Sequence, residues 1–152
     1  MSIAAATRLL IIRHGETAWN AERRIQGHTD IPLNDTGRQQ ARALAEALTD
    51  SPIHAVYSSD LQRAEETGRI IAASQDAKVI TTPQLRERHF GHIEGKTFID
   101  FEVHFPEESL RWRKRDPNWA PPGGGESLAQ LRDRIVQTVN DIGRQHNGEH
   151  VA

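Results

Sequence analysis

The chain has 152 residues, the size of one ordinary domain, and 36% of them are hydrophobic, enough to build a core. Nineteen basic and 21 acidic side chains leave a net charge of −2, with no basic excess of the kind that nucleic acid or an anionic membrane surface would require. The absence of cysteine excludes disulfides, thiolate metal sites and a cysteine nucleophile.

The first element is the apolar run Leu9-Leu10-Ile11-Ile12 between Arg8 and Arg13. It is too short for a signal-peptide core or a membrane span and reads as a buried strand, Leu9–Arg13, that ends in His14-Gly15. The chain is accordingly expected to be cytoplasmic. After a polar stretch to Asp30, the cap-type residues Asn34, Asp35 and Thr36 precede Ala41, Leu44, Ala45 and Leu48, an amphipathic helix of about 13 residues. Ile53 to Tyr57 reads as a second strand. Ser58-Ser59-Asp60 is expected to cap a second helix with Leu61, Ala64, Ile70 and Ile71 on its apolar face, and Val79-Ile80 is a third strand. Two strand–helix–strand periods with short connections predict parallel strands in an α/β sandwich.

Residues 90–125 are less regular and hold Phe98, Phe101, Phe105, Trp112 and Trp119 before a Pro-Pro-Gly-Gly-Gly run. They are expected to form an insertion or lid with one or two helices inside a single domain spanning 1–152. Ser127 then caps a last helix with Leu128, Leu131, Ile135, Val139 and Ile142 as its stripe. His150-Val151-Ala152 reads as a strand that has barely begun.

In an open parallel sheet, ligands sit beyond the carboxyl ends of the strands. The first strand delivers Arg13-His14-Gly15 to that edge, the second leads to Arg63 one helical turn in, and the third is followed by Glu87. An unprotonated imidazole is a nucleophile near neutral pH. Phosphoryl transfer asks chiefly for cations around the equatorial oxygens, which Arg13 and Arg63 could supply. Glu87 could protonate the leaving oxygen. Each of these residues alone is as well explained by a solvated surface; their convergence on one edge is what points to a site.

The same residues carry a family resemblance. Arg-His-Gly-Glu-Thr-Ala-Trp-Asn at 13–20 resembles the signature of the histidine phosphatase superfamily, the phosphoglycerate-mutase-like proteins. The likeness continues at 26–33, 36–41, 56–64, 85–91 and 122–127, in order along nearly the whole chain. It implies a three-layer α/β/α sandwich with a mostly parallel sheet. It further implies His14 as the phosphorylated nucleophile, Arg13, Arg63 and Asn20 as phosphate-binding residues, Glu87 as proton donor and acceptor, and Gln26 and Gly27 at the substrate edge. No metal or organic cofactor is implied. The family's C-terminal strand ends in a second His-Gly pair. That pair would fall roughly five residues beyond Val151-Ala152, so most of the strand is expected to be missing and the chain to continue past Ala152; His150 lies at the wrong end to substitute.

The expected activity is hydrolysis of small phosphomonoesters through a phosphohistidine. The compact 87–124 segment and Gly91-His92-Ile93-Glu94-Gly95 resemble the phosphatase branch, and Phe90 stands where the mutases have Tyr. The alternative is a phosphoglycerate mutase primed by 2,3-bisphosphoglycerate, for which Arg113 and Lys114 resemble the basic pair that holds a substrate carboxylate. A further alternative is a truncated, non-catalytic phosphate-binding relative. A zinc reading of His89, His92 and His104 lacks the i, i+4 helical spacing of zinc enzymes. The expected partner is a small phosphorylated metabolite, with a homodimer left open and neither nucleic acid nor membrane.

Overall fold

The computed structural model describes residues 5–152. Its sheet has four parallel strands, β1 (Arg8–Leu9), β2 (Ala55–Ser58), β3 (Lys78–Thr81) and β4 (His150–Val151), in the order β1-β4-β2-β3. The helices are α1 (Ala18–Ala21), α2 (Asp35–Ala47), α3 (Gln62–Ala73), α4 (Phe98–His104), α5 (Pro106–Lys114) and α6 (Leu128–Gln145). Among the described residues no helix is long and apolar enough to cross a membrane.

Strand periodicity sorts β2 onto two faces. Val56 joins Ile53, Ala45, Ile71 and Ala72 in a core under α2 and α3. Ala55 joins Ile142 and Val151, with Tyr57 and Leu9 against them, on the α6 side. The expected three-layer arrangement follows from that alternation. A third cluster packs Ile93, Phe101 and Trp119 of the 90–125 segment, which holds two helices, α4 and α5, against Ile25.

Helix starts are set by local chemistry. Asn34 accepts a hydrogen bond from the Gly37 amide at 2.8 Å and opens the 13-residue α2. Ser127 and Gln130 form a reciprocal capping box at the start of α6. The expectation for α3 needs correction. Its N-cap position is Leu61, which has no side-chain cap bond, and the orphan Gln62 amide donates instead to the Asp30 carboxylate at 2.8 Å. Short-range sequence cannot reveal a cap supplied from 32 residues upstream.

The first strand is also shorter than expected. The Leu10 amide donates to Val151 O at 2.8 Å in the last ladder bond of this pair, and Ile11 is 84% exposed rather than buried. The strand expected to be barely begun is an interior one. His150 pairs with Arg8, and Val151 with both Leu9 and Ala55, so β4 runs parallel to its neighbours toward the edge that carries His14.

Candidate active site

A cavity of about 1190 Å³ opens at the carboxyl edge of the sheet and runs back between the sheet and α6, past Tyr57, Ile135, Val139 and Val151. Arg13, His14, Asn20, Gln26, Gly27, Arg63 and Glu87 all line it. Seven of the nine residues expected at the site therefore share one space.

His14 is fixed by backbone packing. Gly15, next to it, lies so close to α2 that a Cβ would stand 2.4 Å from Gly37 O, and its amide donates to Thr67 Oγ1 on α3 at 3.1 Å. Only two bare backbones fit at this crossing. The imidazole Nδ1 lies 2.7 Å from Gly15 O. A carbonyl only accepts, so Nδ1 carries the proton and Nε2 keeps its lone pair. Burial lowers the imidazole pKa; the Gly15 carbonyl pulls it the other way, Arg63 and Arg13 lower it further, and Glu87 raises it. The ring is thus neutral, in a defined tautomer, at physiological pH.

Arg63 is 2% exposed. Its guanidinium donates from Nη2 to Gly27 O at 2.6 Å and from Nη1 to Thr29 O at 2.9 Å. Burial lowers its pKa while Glu87, Asp30 and Glu94 oppose that shift, so an arginine remains cationic there. Asn20 spends its Oδ1 on the Thr17 amide at 3.0 Å in the α1 capping box, which leaves the amide NH2 as its donor toward the cavity. Gln26 accepts from Thr17 Oγ1 at 2.6 Å. Gly27 adopts a φ of +59°, where a Cβ would also meet Glu94 Oε1 at 2.2 Å.

Glu87 sits on a loop pinned from both sides. Arg86 forms a two-pronged bond to Asp60, at 2.6 Å for each prong. Arg88 is buried, donates to Glu126 O at 2.6 Å and to Trp119 O at 3.1 Å, and lies 5.5–5.6 Å from the ring centres of Phe90, Trp112 and Trp119. From α6, Arg134 grips Glu126 through two nitrogens and donates to the carbonyls of Gln84 at 2.7 Å and Arg86 at 2.9 Å.

Arg113 and Lys114 are not brought to this site. Both are exposed on α5 and line no part of the cavity, and Arg113 is paired with Glu102 of α4. The physical reason is the helical face: Trp112 turns inward against Phe90 and Phe101, which carries its two successors outward. His104 bonds Asp100 O at 2.8 Å, and no cluster of metal-ligating side chains occurs among the described residues. His150 stands beside His54 at the far edge of the sheet. Sequence reasoning missed Arg23, Phe98 and Trp112 as cavity lining, and Thr67, Glu94 and Arg134 as supports. Arg23 carried no signal in its spacing; its φ of +57° appears only in the fold.

A profile of the histidine phosphatase superfamily (branch 1) matches residues 9–152. The chain is 46% identical over 145 residues to Phosphoglycerate mutase-like protein 4 of Arabidopsis thaliana, covering 94% of this chain and 63% of that protein. It is 41% identical over 148 residues to the Metal-independent phosphoserine phosphatase of the same plant, covering 95% and 62%. The solved structure of Bacillus stearothermophilus YhfR superposes with a TM-score of 0.88 at 36% identity, covering 96% of this chain and 72% of that one. The chain thus spans about three fifths of the length of the curated relatives it matches. With the motifs, the parallel sheet and the profile in agreement from Leu9 to Ala152, the chain belongs to the histidine phosphatase superfamily.

Proposed function

We propose that this site transfers a phosphoryl group from a small phosphomonoester to water through a phosphorylated His14. The observation that carries the reading is the Nδ1 to Gly15 O bond, which leaves Nε2 unprotonated inside a cavity whose lining includes Arg13 and Arg63. In the first step Nε2 attacks phosphorus, the ester P–O bond breaks, and Glu87 gives its proton to the departing alkoxide. In the second, the Glu87 carboxylate takes a proton from water as that water attacks phosphorus, the P–N bond breaks, and inorganic phosphate leaves. Arg13, Arg63 and the Asn20 amide meet the charge on the equatorial oxygens, so neither step calls for a metal.

Water is favoured over a second substrate hydroxyl as acceptor because the basic pair a mutase would use, Arg113 and Lys114, lies outside the cavity. The presence of a phosphoserine phosphatase among close relatives supports the same choice. The test is trapping of an acid-labile phosphoenzyme together with turnover of a phosphomonoester pair differing in leaving group. His14→Ala should abolish both the phosphoenzyme and turnover, and normal turnover by that variant overturns the nucleophile. Glu87→Gln should slow the poor leaving group by about 100-fold more than the activated one, and equal slowing removes the general acid. Phosphate binding by the unaltered chain without turnover would select the binding-protein alternative.

A further inference from the structure

Resting on the proposed reading of Arg63, we propose that Glu94 is a positioning residue that aims the Arg63 guanidinium at the phosphoryl group through the intervening 27–30 segment. The Glu94 side chain is 10% exposed and accepts four hydrogen bonds. Oε1 takes the His28 amide at 2.9 Å and the Phe90 amide at 3.0 Å; Oε2 takes the Thr29 amide at 2.9 Å and the Thr29 hydroxyl at 2.5 Å.

The His28 N–H and the Gly27 C=O belong to one planar peptide group, and in a trans peptide they point in opposite directions. Glu94 pulls on the N–H side of that plane while Arg63 Nη2 donates to its oxygen at 2.6 Å. The carboxylate, the peptide dipole and the guanidinium therefore lie in one polarised line, each strengthening the next. Thr29 adds a second link, through its own backbone rather than a single peptide plane: its amide and hydroxyl are held by Glu94 and its carbonyl accepts from Arg63 Nη1 at 2.9 Å. Asp30 closes the segment against α3 by accepting from the Gln62 amide at 2.8 Å and side chain at 3.1 Å. The positive φ of Gly27 and its lack of a Cβ are what let Glu94 approach so closely.

Two of the five guanidinium N–H groups are thus spent on orientation, and the rest are left for a ligand. Burial pushes the Glu94 carboxyl up, but the bonds from Thr29, His28 and Phe90 outweigh it and hold the group below its ordinary range, ionised at neutral pH. The nearby negative charge also offsets part of the desolvation that Arg63 suffers.

The experiment is a double-mutant cycle on the full chain, read by the dissociation constant for orthovanadate and by the Arg63 guanidinium N–H resonance of the free protein. Glu94→Gln keeps the shape but loses the charge and one accepting oxygen. It should weaken vanadate binding by about tenfold and shift or broaden the Arg63 resonance, and the Arg63→Ala/Glu94→Gln double variant should bind no more weakly than Arg63→Ala alone. Thr29→Val, a milder change, should weaken binding by about two- to threefold in the unaltered background and not at all beside Arg63→Ala. It answers the question if Glu94→Gln fails to fold. Wild-type affinity in both Glu94→Gln and Thr29→Val, or a penalty that survives in the Arg63→Ala background, overturns the proposal while leaving the proposed function intact. Wild-type vanadate affinity in Arg63→Ala itself overturns the role of Arg63 in that function, and with it the premise here.

Discussion

Around Arg63 the cavity floor is held by directed bonds: carboxylate to amide, carbonyl to guanidinium, bare glycine against bare glycine. The 98–114 roof is held by rings instead, with Trp112 within 5.1–6.3 Å of Phe90, Phe98, Phe101 and Trp119 and Arg88 seated among them. Hydrogen bonds fix angles, whereas ring packing fixes volume and tolerates rotation. The floor is where a transition state needs geometry; the roof needs only to cover and to exclude water. Damage to the two regions should therefore be read on different instruments.

The largest effect is expected in the roof. Phe101 is 1% exposed, and Phe101→Ala should cost about 3–5 kcal/mol of stability in denaturant unfolding, with phosphate affinity of the folded fraction kept. A parallel loss of affinity under native conditions would mean that roof and floor are not separable. Next comes Gly37→Ala, whose Cβ would stand 2.1 Å from Glu16 O. It should cost about 1–3 kcal/mol and, unlike the roof change, lower the phosphohistidine yield in the folded protein by displacing His14. An unchanged yield would show that the glycine crossing does not locate the nucleophile.

Asp30→Ala removes the borrowed cap of α3 and should cost about 1 kcal/mol in thermal unfolding, with a modest loss of phosphate binding through Arg63. Affinity equal to the parent would confine Asp30 to a capping role. The smallest effect is in pH. Because the fold lowers the His14 pKa, it favours the neutral ring, so the stability it contributes is present above about pH 6.5 and is lost below that, as pH falls through the lowered pKa of the folded protein. Phosphoenzyme formation should likewise hold at pH 6.5 and decline only below it. A midpoint above 6.5 would mean that the Gly15 carbonyl and Glu87 together outweigh burial and the arginines.

What could be read from the sequence was what repeats or is short-range. Ala41, Leu44, Ala45 and Leu48 announce α2, and Leu128 to Ile142 announce α6, because a buried helical face has a period that survives on paper. The strand-end residues His14, Arg63 and Glu87 were legible because parallel topology sends every such end to one edge. Asp30 on α3 and Glu94 on the 27–30 segment were not, since each joins residues 32 to 66 positions apart with no pattern between them. Arg113 and Lys114 illustrate the opposite failure: a local likeness held, but the helix face set by Trp112 points them away. The four-residue helix at Ala18–Ala21 lies inside the polar stretch and shows no apolar period, although Thr17 and Asn20 spell its capping box.

Arg134 has a consequence for the order in which the molecule assembles. It reaches back 50 residues to Gln84 and 48 to Arg86, and it is α6 that brings it there. Closing loops of that length is slow next to forming α6, and the polar fork has nothing to grip until both Glu126 and the loop carbonyls are in position. During refolding, helical signal should therefore return before the Glu87 loop is locked. Competence for chemistry is a property of the last contacts made rather than of the first.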